Sequence, residues 1–111
     1  MKKVLTIAGS DSCGGAGIQA DIKTMSAMGV YGMSVITAVT AQNTQGVSKV
    51  QELSEDIIKE QLKAIFEDIE VDSVKIGMLS STEIIKTVTN SLEKYKAKNI
   101  VIDPVMLSKN N

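Results

Sequence analysis

Short, almost uninterrupted apolar runs alternate with amphipathic helical repeats along this chain, and that alternation constrains the fold more than any other feature. The runs at Val4 to Ala8, Val35 to Val39, Val74 to Ile76 and Ile100 to Ile102 lack the polar alternation of a half-exposed strand. Strands that read this way are covered on both faces, as in parallel sheets. Between them, Ile18, Ile22, Met25 and Met28 fall on roughly one face of a helix. Ile58, Leu62, Ile65, Phe66 and Ile69 repeat at helical spacing, as do Ile85, Val88, Leu92 and Tyr95. Gly29 suits a C-cap of the first helix. Ser54, followed by Glu55 and Asp56, starts the second, and Ser80-Ser81-Thr82-Glu83 reads as a capping box for the third. Val47 to Leu53 adds a short extra strand or an extended edge, and Pro104 forces Asp103 out of helical geometry. The order β-α-β-(β)-α-β-α-β predicts an α/β fold: a mostly parallel sheet with helices on both faces and right-handed crossovers. Strands are expected near 3–9, 33–41, 73–77 and 99–103, and helices near 15–29, 54–69 and 81–96.

Composition removes several function classes. With 12 basic and 13 acidic residues the net charge is -1, so no attraction to nucleic acid or anionic membrane is built in. All the basic residues are Lys, which leaves no guanidinium clamp for phosphate, and the absence of His excludes His-based triads within the chain. A lone Cys13 rules out an internal disulfide framework. Apolar runs are too short for a membrane span or a signal segment, so a cytoplasmic protein is expected. At 111 residues the chain is one domain at most. It stops just after an apolar run, where a two-sided sheet normally continues with a helix. Two readings follow, a small complete domain with a frayed tail and, as the sharper expectation, residues 1–111 as the first part of a larger fold.

In open α/β sheets, ligands bind beyond the carboxyl ends of the strands. Those ends carry Gly9-Ser10-Asp11-Ser12-Cys13-Gly14-Gly15-Ala16-Gly17, Gln42-Asn43-Thr44-Gln45-Gly46, Gly77-Met78-Leu79 and Asp103-Pro104-Val105-Met106. The four segments should share one rim. Gly15-Ala16-Gly17-Ile18-Gln19-Ala20 matches the dinucleotide fingerprint only formally, because Gln42 and Asn43 stand where the acidic ribose ligand is needed. A P-loop fails for want of a Lys-Ser or Lys-Thr pair after the glycines. What remains is a loop whose backbone can approach a ligand closely before a helix start. Asp11 suits either a ligand hydroxyl or the capping of its own loop. Asp21 lies within a helix and has no assigned face. Gln42 both donates and accepts, which suits the edge of a heterocycle or a polar loop. Asp103 suits a cation or a structural Asp-Pro turn. Cys13 fits as a small residue in a tight loop, and Lys23 and Lys75 have no spacing that singles them out.

Ala8-Gly9-Ser10-Asp11-Ser12, then Gly14 to Asp21 and Lys23-Thr24, resembles the opening signature of the hydroxymethylpyrimidine/phosphomethylpyrimidine kinases. These are the thiamine-pathway members of the ribokinase-like superfamily. Gly32-Met33-Ser34 with Ile36 to Thr44, Lys75 to Leu79, and Val101 to Met106 continue the resemblance in order. It implies a partial ribokinase-like fold and an enzyme that uses ATP and Mg2+. That enzyme would phosphorylate 4-amino-5-hydroxymethyl-2-methylpyrimidine and then its monophosphate. It further implies a pyrimidine pocket drawing on Gly9, Asp11, Ala16, Gln42, Met78 and Val105, with Gln42 at the ring edge, Met78 on the ring and Asp103 toward cation and phosphates. Cys13 and Asn111 depart from the family pattern. Family chains are more than twice as long, and their nucleotide site, anion hole and catalytic base lie in the C-terminal part. No catalytic residue is therefore expected within residues 1–111, and this chain alone is expected to be inactive. A homodimer is the expectation for a full-length protein. Two alternatives stay open: a vitamin B6 kinase of the same superfamily, against which Gln42-Asn43-Thr44 argues, and a non-catalytic pyrimidine-binding remnant.

Overall fold

A computed structural model describes residues 1–103. Its elements run β1 (Lys3–Asp11), α1 (Gly17–Ala27), β2 (Tyr31–Asn43), β3 (Gly46–Glu52), α2 (Glu55–Phe66), β4 (Ser73–Ile76), α3 (Thr82–Lys94) and β5 (Ile100–Ile102). The strands form one sheet in the order β3-β2-β1-β4-β5. All pairings are parallel except β2 with β3, an antiparallel hairpin closed at Asn43 and Gly46. The segment from Val47 to Leu53 is thus a true strand as far as Glu52, on the sheet edge.

The strands alternate between two helix-covered faces, as their uninterrupted runs require. Leu5, Ile7, Met33, Val35 and Val74 point to the face that α2 and α3 cover with Ile58, Leu62, Ile84, Val88 and Leu92. Thr6 and Lys75 point the other way and meet Asp21 of α1. Helices therefore cover both faces.

The helix starts follow the expected chemistry with one shift. Ser54 Oγ accepts the Ile57 N–H, and Ser81 Oγ accepts the Ile84 N–H. Because Ser81 is the N-cap of α3, Glu83 falls at the second helical position rather than the third. The reciprocal bond of a capping box belongs to the third position, so the box expected from Ser80 does not form. The first helix ends at Ala27, with Met28 as C-cap, and Gly29 turns the chain just beyond it at φ +77°. Two apolar residues leave their predicted stripes: Met28 is 74% exposed and Ile85 46% exposed. Ile84 takes the buried place expected of Ile85, since it lies with Val88 and Leu92 on the face of α3 that packs into the core. Tyr95 does pack inward, its ring stacked on Phe66 with centroids 5.3 Å apart.

On the side of β2 away from β1, pairing with β3 begins only at Ala38, which leaves the edge free at Ile36. Gln61 of α2 fills it: its Oε1 accepts the Ile36 N–H at 2.9 Å and its Nε2 donates to Ile36 O at 2.8 Å. One side-chain amide thus stands in for a missing strand. Replacing Gln61 with Leu should cost about 1–3 kcal/mol, the penalty of leaving buried backbone groups unpaired. Urea denaturation checks this; an unchanged midpoint would mean that water satisfies the edge equally well.

At the other end of the sheet, Asp72 accepts the Lys3 N–H at 2.8 Å, and this backbone bond holds its carboxyl below the ordinary value. The bond therefore stabilises the fold above the ordinary carboxylate pKa of about 3.9, and the contribution is lost as pH falls through the lower folded value. Asp72→Asn should flatten this acid limb, so that the urea midpoint falls less than in the parent between about pH 5 and about pH 2.

Candidate functional site

Strand β1 runs past its neighbour β4: Ile7 is the last residue of β1 paired there, whereas Asp11 still pairs with Thr40 of β2. The register with β2 slips between Ala8 and Ser10, so one extra β2 residue is accommodated opposite Gly9. The carbonyl end of the sheet is thereby stepped, with the glycine-rich loop rising from its highest point.

Asp11 organises that loop. It is only 4% exposed, and its carboxylate accepts three backbone N–H groups: Cys13 on Oδ1 at 2.8 Å, and Gly15 and Ala16 on Oδ2 at 3.0 and 2.8 Å. Its own carbonyl accepts the Gly14 N–H at 3.0 Å. The N-cap of α1 is Ala16, whose side chain has no acceptor, so the carboxylate of Asp11 serves as the cap from five residues upstream. Of the two readings open for Asp11, the structure displays the loop cap. Gly17 opens the helix at φ +59°, and a Cβ there would run into the Gly9 carbonyl. Gly9 is half-buried on β1, and Ala16 is exposed on the loop with its amide held by Asp11.

Helix α1 braces the loop from below. Gln19 Oε1 accepts the Asp11 N–H at 2.8 Å while its Nε2 donates to Ser10 Oγ at 2.8 Å, and Lys23 Nζ donates to Gly14 O at 3.0 Å. The end of β2 is tied on from the side. Ser12 Oγ donates to Gln42 O at 2.7 Å and accepts the Gln42 N–H at 2.8 Å, a reciprocal clamp. Thr40 Oγ1 bonds Ser10 O at 2.8 Å. Gln42 is half-buried between these groups.

On the other side of β1, Gly77 and Asp103 continue the ladder: Gly77 N–H donates to Ile7 O, and Asp103 N–H to Ile76 O, both at 2.9 Å. A Cβ on Gly77 would crowd Ala8 Cβ at 3.0 Å, so a glycine lets the chain turn close over β1. Met78 follows, 66% exposed. Below it, Lys75 Nζ lies 2.9 and 3.1 Å from the two oxygens of Asp21 and 3.7 Å from Asp103, and Asp21 also accepts the Thr6 hydroxyl at 2.6 Å. Thus Gly9, Asp11, Ala16, Gln42, Met78 and Asp103 lie at or just beyond the carboxyl ends of four adjacent parallel strands. Val105 lies outside the described residues.

Asp21, Lys75, Gln19, Ser12 and Thr40 were not singled out as site residues from sequence. Lys75 carried one available signal, a charge in the middle of the buried run Val74 to Ile76. The others are recognisable only through partners on distant strands. Among the described residues no group of three or more His, Cys, Asp or Glu side chains is placed to hold a metal. Asp103, at the β5 end with its side chain 59% exposed, is the rim carboxylate with room to face a cation. A groove of about 300 Å3 lined by Ile76, Leu92, Ala97, Ile100 and Ile102 lies elsewhere, between α3 and the outer strand β5.

A five-stranded, mostly parallel α/β sheet with this rim is the architecture of the ribokinase-like kinases. The sequence pattern of phosphomethylpyrimidine kinase matches residues 11–111, and the chain belongs to that family. The hydroxymethylpyrimidine/phosphomethylpyrimidine kinase of Escherichia coli is 52% identical over 98% of this chain and 42% of its own. The crystal structure of phosphomethylpyrimidine kinase from Clostridium difficile superposes with a TM-score of 0.95 at 62% identity, covering 99% of this chain and 48% of that one. An ADP complex of Bacillus subtilis pyridoxal kinase superposes with a TM-score of 0.89 at 44% identity, over 100% of this chain and 43% of that one. The chain thus spans less than half the length of these relatives.

Two substitutions separate the supports of the loop. Asp11→Ala should destabilise the protein by about 3 kcal/mol or more, because three amides lose a charged acceptor in a buried place. Gly17→Ala should cost about 2–4 kcal/mol, combining a left-handed backbone strain with a clash. Thermal melting of both variants checks this. A neutral Gly17→Ala would show that the helix start can back away from β1.

Proposed function

We propose that residues 1–111 are the substrate-binding part of an ATP-dependent kinase of thiamine diphosphate biosynthesis, acting in the cytoplasm. Its substrates would be 4-amino-5-hydroxymethyl-2-methylpyrimidine and the corresponding monophosphate. The observation that carries this reading is the rim at the ends of β1, β2, β4 and β5, where Gln42 is held by Ser12 just beyond β1 and by Thr40 of its own strand, and Met78 stands exposed beside a close-packed glycine. A planar heterocycle fits such a place: an amide for its edge, a thioether for its face and glycine backbone close by.

Phosphoryl transfer depends mainly on positioning and on electrostatic stabilisation of the transferring group. The residues of this chain supply positioning. Gly9, Ala16 and the Asp11-capped loop wall the ring. Gln42 orients it by its edge and Met78 packs on it, and the family resemblance assigns Val105 to the same pocket. Asp103 lies toward the cation and phosphates, on the side where Lys75 holds it. When bound, ATP supplies the phosphoryl group and Mg2+ offsets its charge. The nucleotide site and catalytic base belong to the part of the family chain beyond these residues. A homodimer of the full-length protein fits the same reading.

Pyridoxal kinases share the fold closely enough that a B6 substrate is the reading to set against this one. A complete kinase, made by extending this chain with the C-terminal remainder of the Clostridium difficile relative, separates the two. ATP consumption is expected with the hydroxymethyl pyrimidine in preference to pyridoxal. Preference for pyridoxal would overturn the proposal. In that complete kinase, Gln42→Ala should weaken pyrimidine affinity by about 1–3 kcal/mol, or roughly 5- to 150-fold. Unchanged affinity in a titration would assign Gln42 a structural role.

The 111-residue chain alone is expected to show no turnover with ATP, Mg2+ and the pyrimidine. It is also expected to self-associate, because Val101 and Ile102 on the outer strand are 61% and 68% exposed. Turnover that tracks the purified chain and vanishes with Asp103→Ala would place catalytic groups within it.

A further inference from the structure

The hydroxyl of Thr40 carries one proton and faces two groups. Its Oγ1 lies 2.8 Å from Ser10 O and 3.1 Å from the Gln42 side-chain amide at its Oε1 end. Ser10 O is a carbonyl and can only accept, so the shorter contact consumes the Thr40 proton. Toward Gln42, Thr40 then offers only lone pairs. An amide oxygen there would set two acceptors against each other, whereas an amide nitrogen would donate. The two ends of a carboxamide have the same shape, and the hydrogen-bond network decides which end faces which partner.

We propose that Thr40 is a specificity-determining positioning residue: it holds the Gln42 amide with Nε2 toward its own hydroxyl and Oε1 toward the ligand. The backbone of Gln42 is already pinned by the two Ser12 bonds, so rotation of the amide is the freedom that Thr40 removes. Held this way, Gln42 presents its oxygen and the second Nε2 proton as a fork. The fork matches an exocyclic amino group next to an unprotonated ring nitrogen. It mismatches the 4-oxo analogue, in which the ring nitrogen donates and the exocyclic oxygen accepts. An amide free to turn over would serve both edges, much as a carboxamide reads a base edge only when its orientation is fixed.

The inference rests on the pyrimidine reading given above, and the experiment separates the two. In the complete kinase, affinities for the 4-amino pyrimidine and its 4-oxo analogue are measured for the parent, Thr40→Val and Thr40→Ser. The parent should favour the amino compound. Thr40→Val should lower that preference about tenfold, chiefly by gaining affinity for the oxo compound. A gain of binding cannot come from misfolding. Thr40→Ser, which keeps the hydroxyl, should restore the preference. In the ligand-free kinase, the side-chain NH2 resonance of Gln42 should show one proton slowed in exchange in the parent and Thr40→Ser, and neither slowed in Thr40→Val. If Thr40→Val keeps the parental preference, or the slowed proton survives in it, the role of Thr40 is overturned while the pyrimidine reading stands. A parent that binds neither pyrimidine but binds pyridoxal overturns both.

Discussion

One buried carboxylate holds the rim of this sheet in shape. Asp11 leaves the end of β1 and turns back under its own loop to accept three amides, including that of the residue that caps α1. A charge this deeply buried is costly unless charged hydrogen bonds compensate it, and the converging amides together with the positive end of a helix provide that compensation. The consequences spread outward. The loop is held low enough for Gly17 to sit on the Gly9 carbonyl, which brings α1 against β1 and places Gln19 and Lys23 under the loop. The same loop geometry offers Ser12 to the end of β2, so the position of Gln42 depends on Asp11 through one intermediate side chain.

The polar groups of the rim divide by what satisfies them. Asp11, Gln19, Ser12 and Thr40 spend their hydrogen bonds on the protein and give the site a fixed frame. Asp103 and Met78 stand exposed at its edge. Beneath them, Lys75 shares the α1-covered face of the sheet with Thr6, and its charge is tolerated because Asp21 meets it with both oxygens. Partly buried ion pairs of this kind confer geometry more surely than stability. Here the geometry links α1 to β4 and, at 3.7 Å, to the carboxylate at the end of β5. Binding groups ordered before a ligand arrives lose less freedom when it does, which suits a family whose chemistry is chiefly positioning.

Much of this architecture was legible because it follows from local pattern. Uninterrupted apolar runs can be satisfied only in a sheet covered on both faces, and Ser54 and Ser81 begin helices because their hydroxyls can accept free amides. Local pattern fails where one residue's shift matters. Ser81 rather than Ser80 is the cap, which moves Glu83 out of reach of a capping box, and packing into the core buries Ile84 rather than Ile85. Asp11 shows a different limit. Its residue type suits a ligand hydroxyl and a loop cap equally, and only the loop's backbone path distinguishes them.

The sequence by itself determined the element types, the two-sided sheet, the rim on which Gly9, Asp11, Gln42, Met78 and Asp103 stand, and the family resemblance. The elements, sheet and rim rest on periodicity, on turn chemistry and on the rule that places sites at strand carboxyl ends, and the resemblance rests on the ordered motif blocks. The tertiary structure decided which side chains became partners. Lys75 and Asp21 are 54 residues apart, and Ser12 and Gln42 are 30 apart. No periodicity pairs them, because each contact exists only once the order β3-β2-β1-β4-β5 and the strand registers are set. Strand order and register are themselves fixed by packing across the whole sheet, where a slip of one residue would send every side chain of a strand to the opposite face.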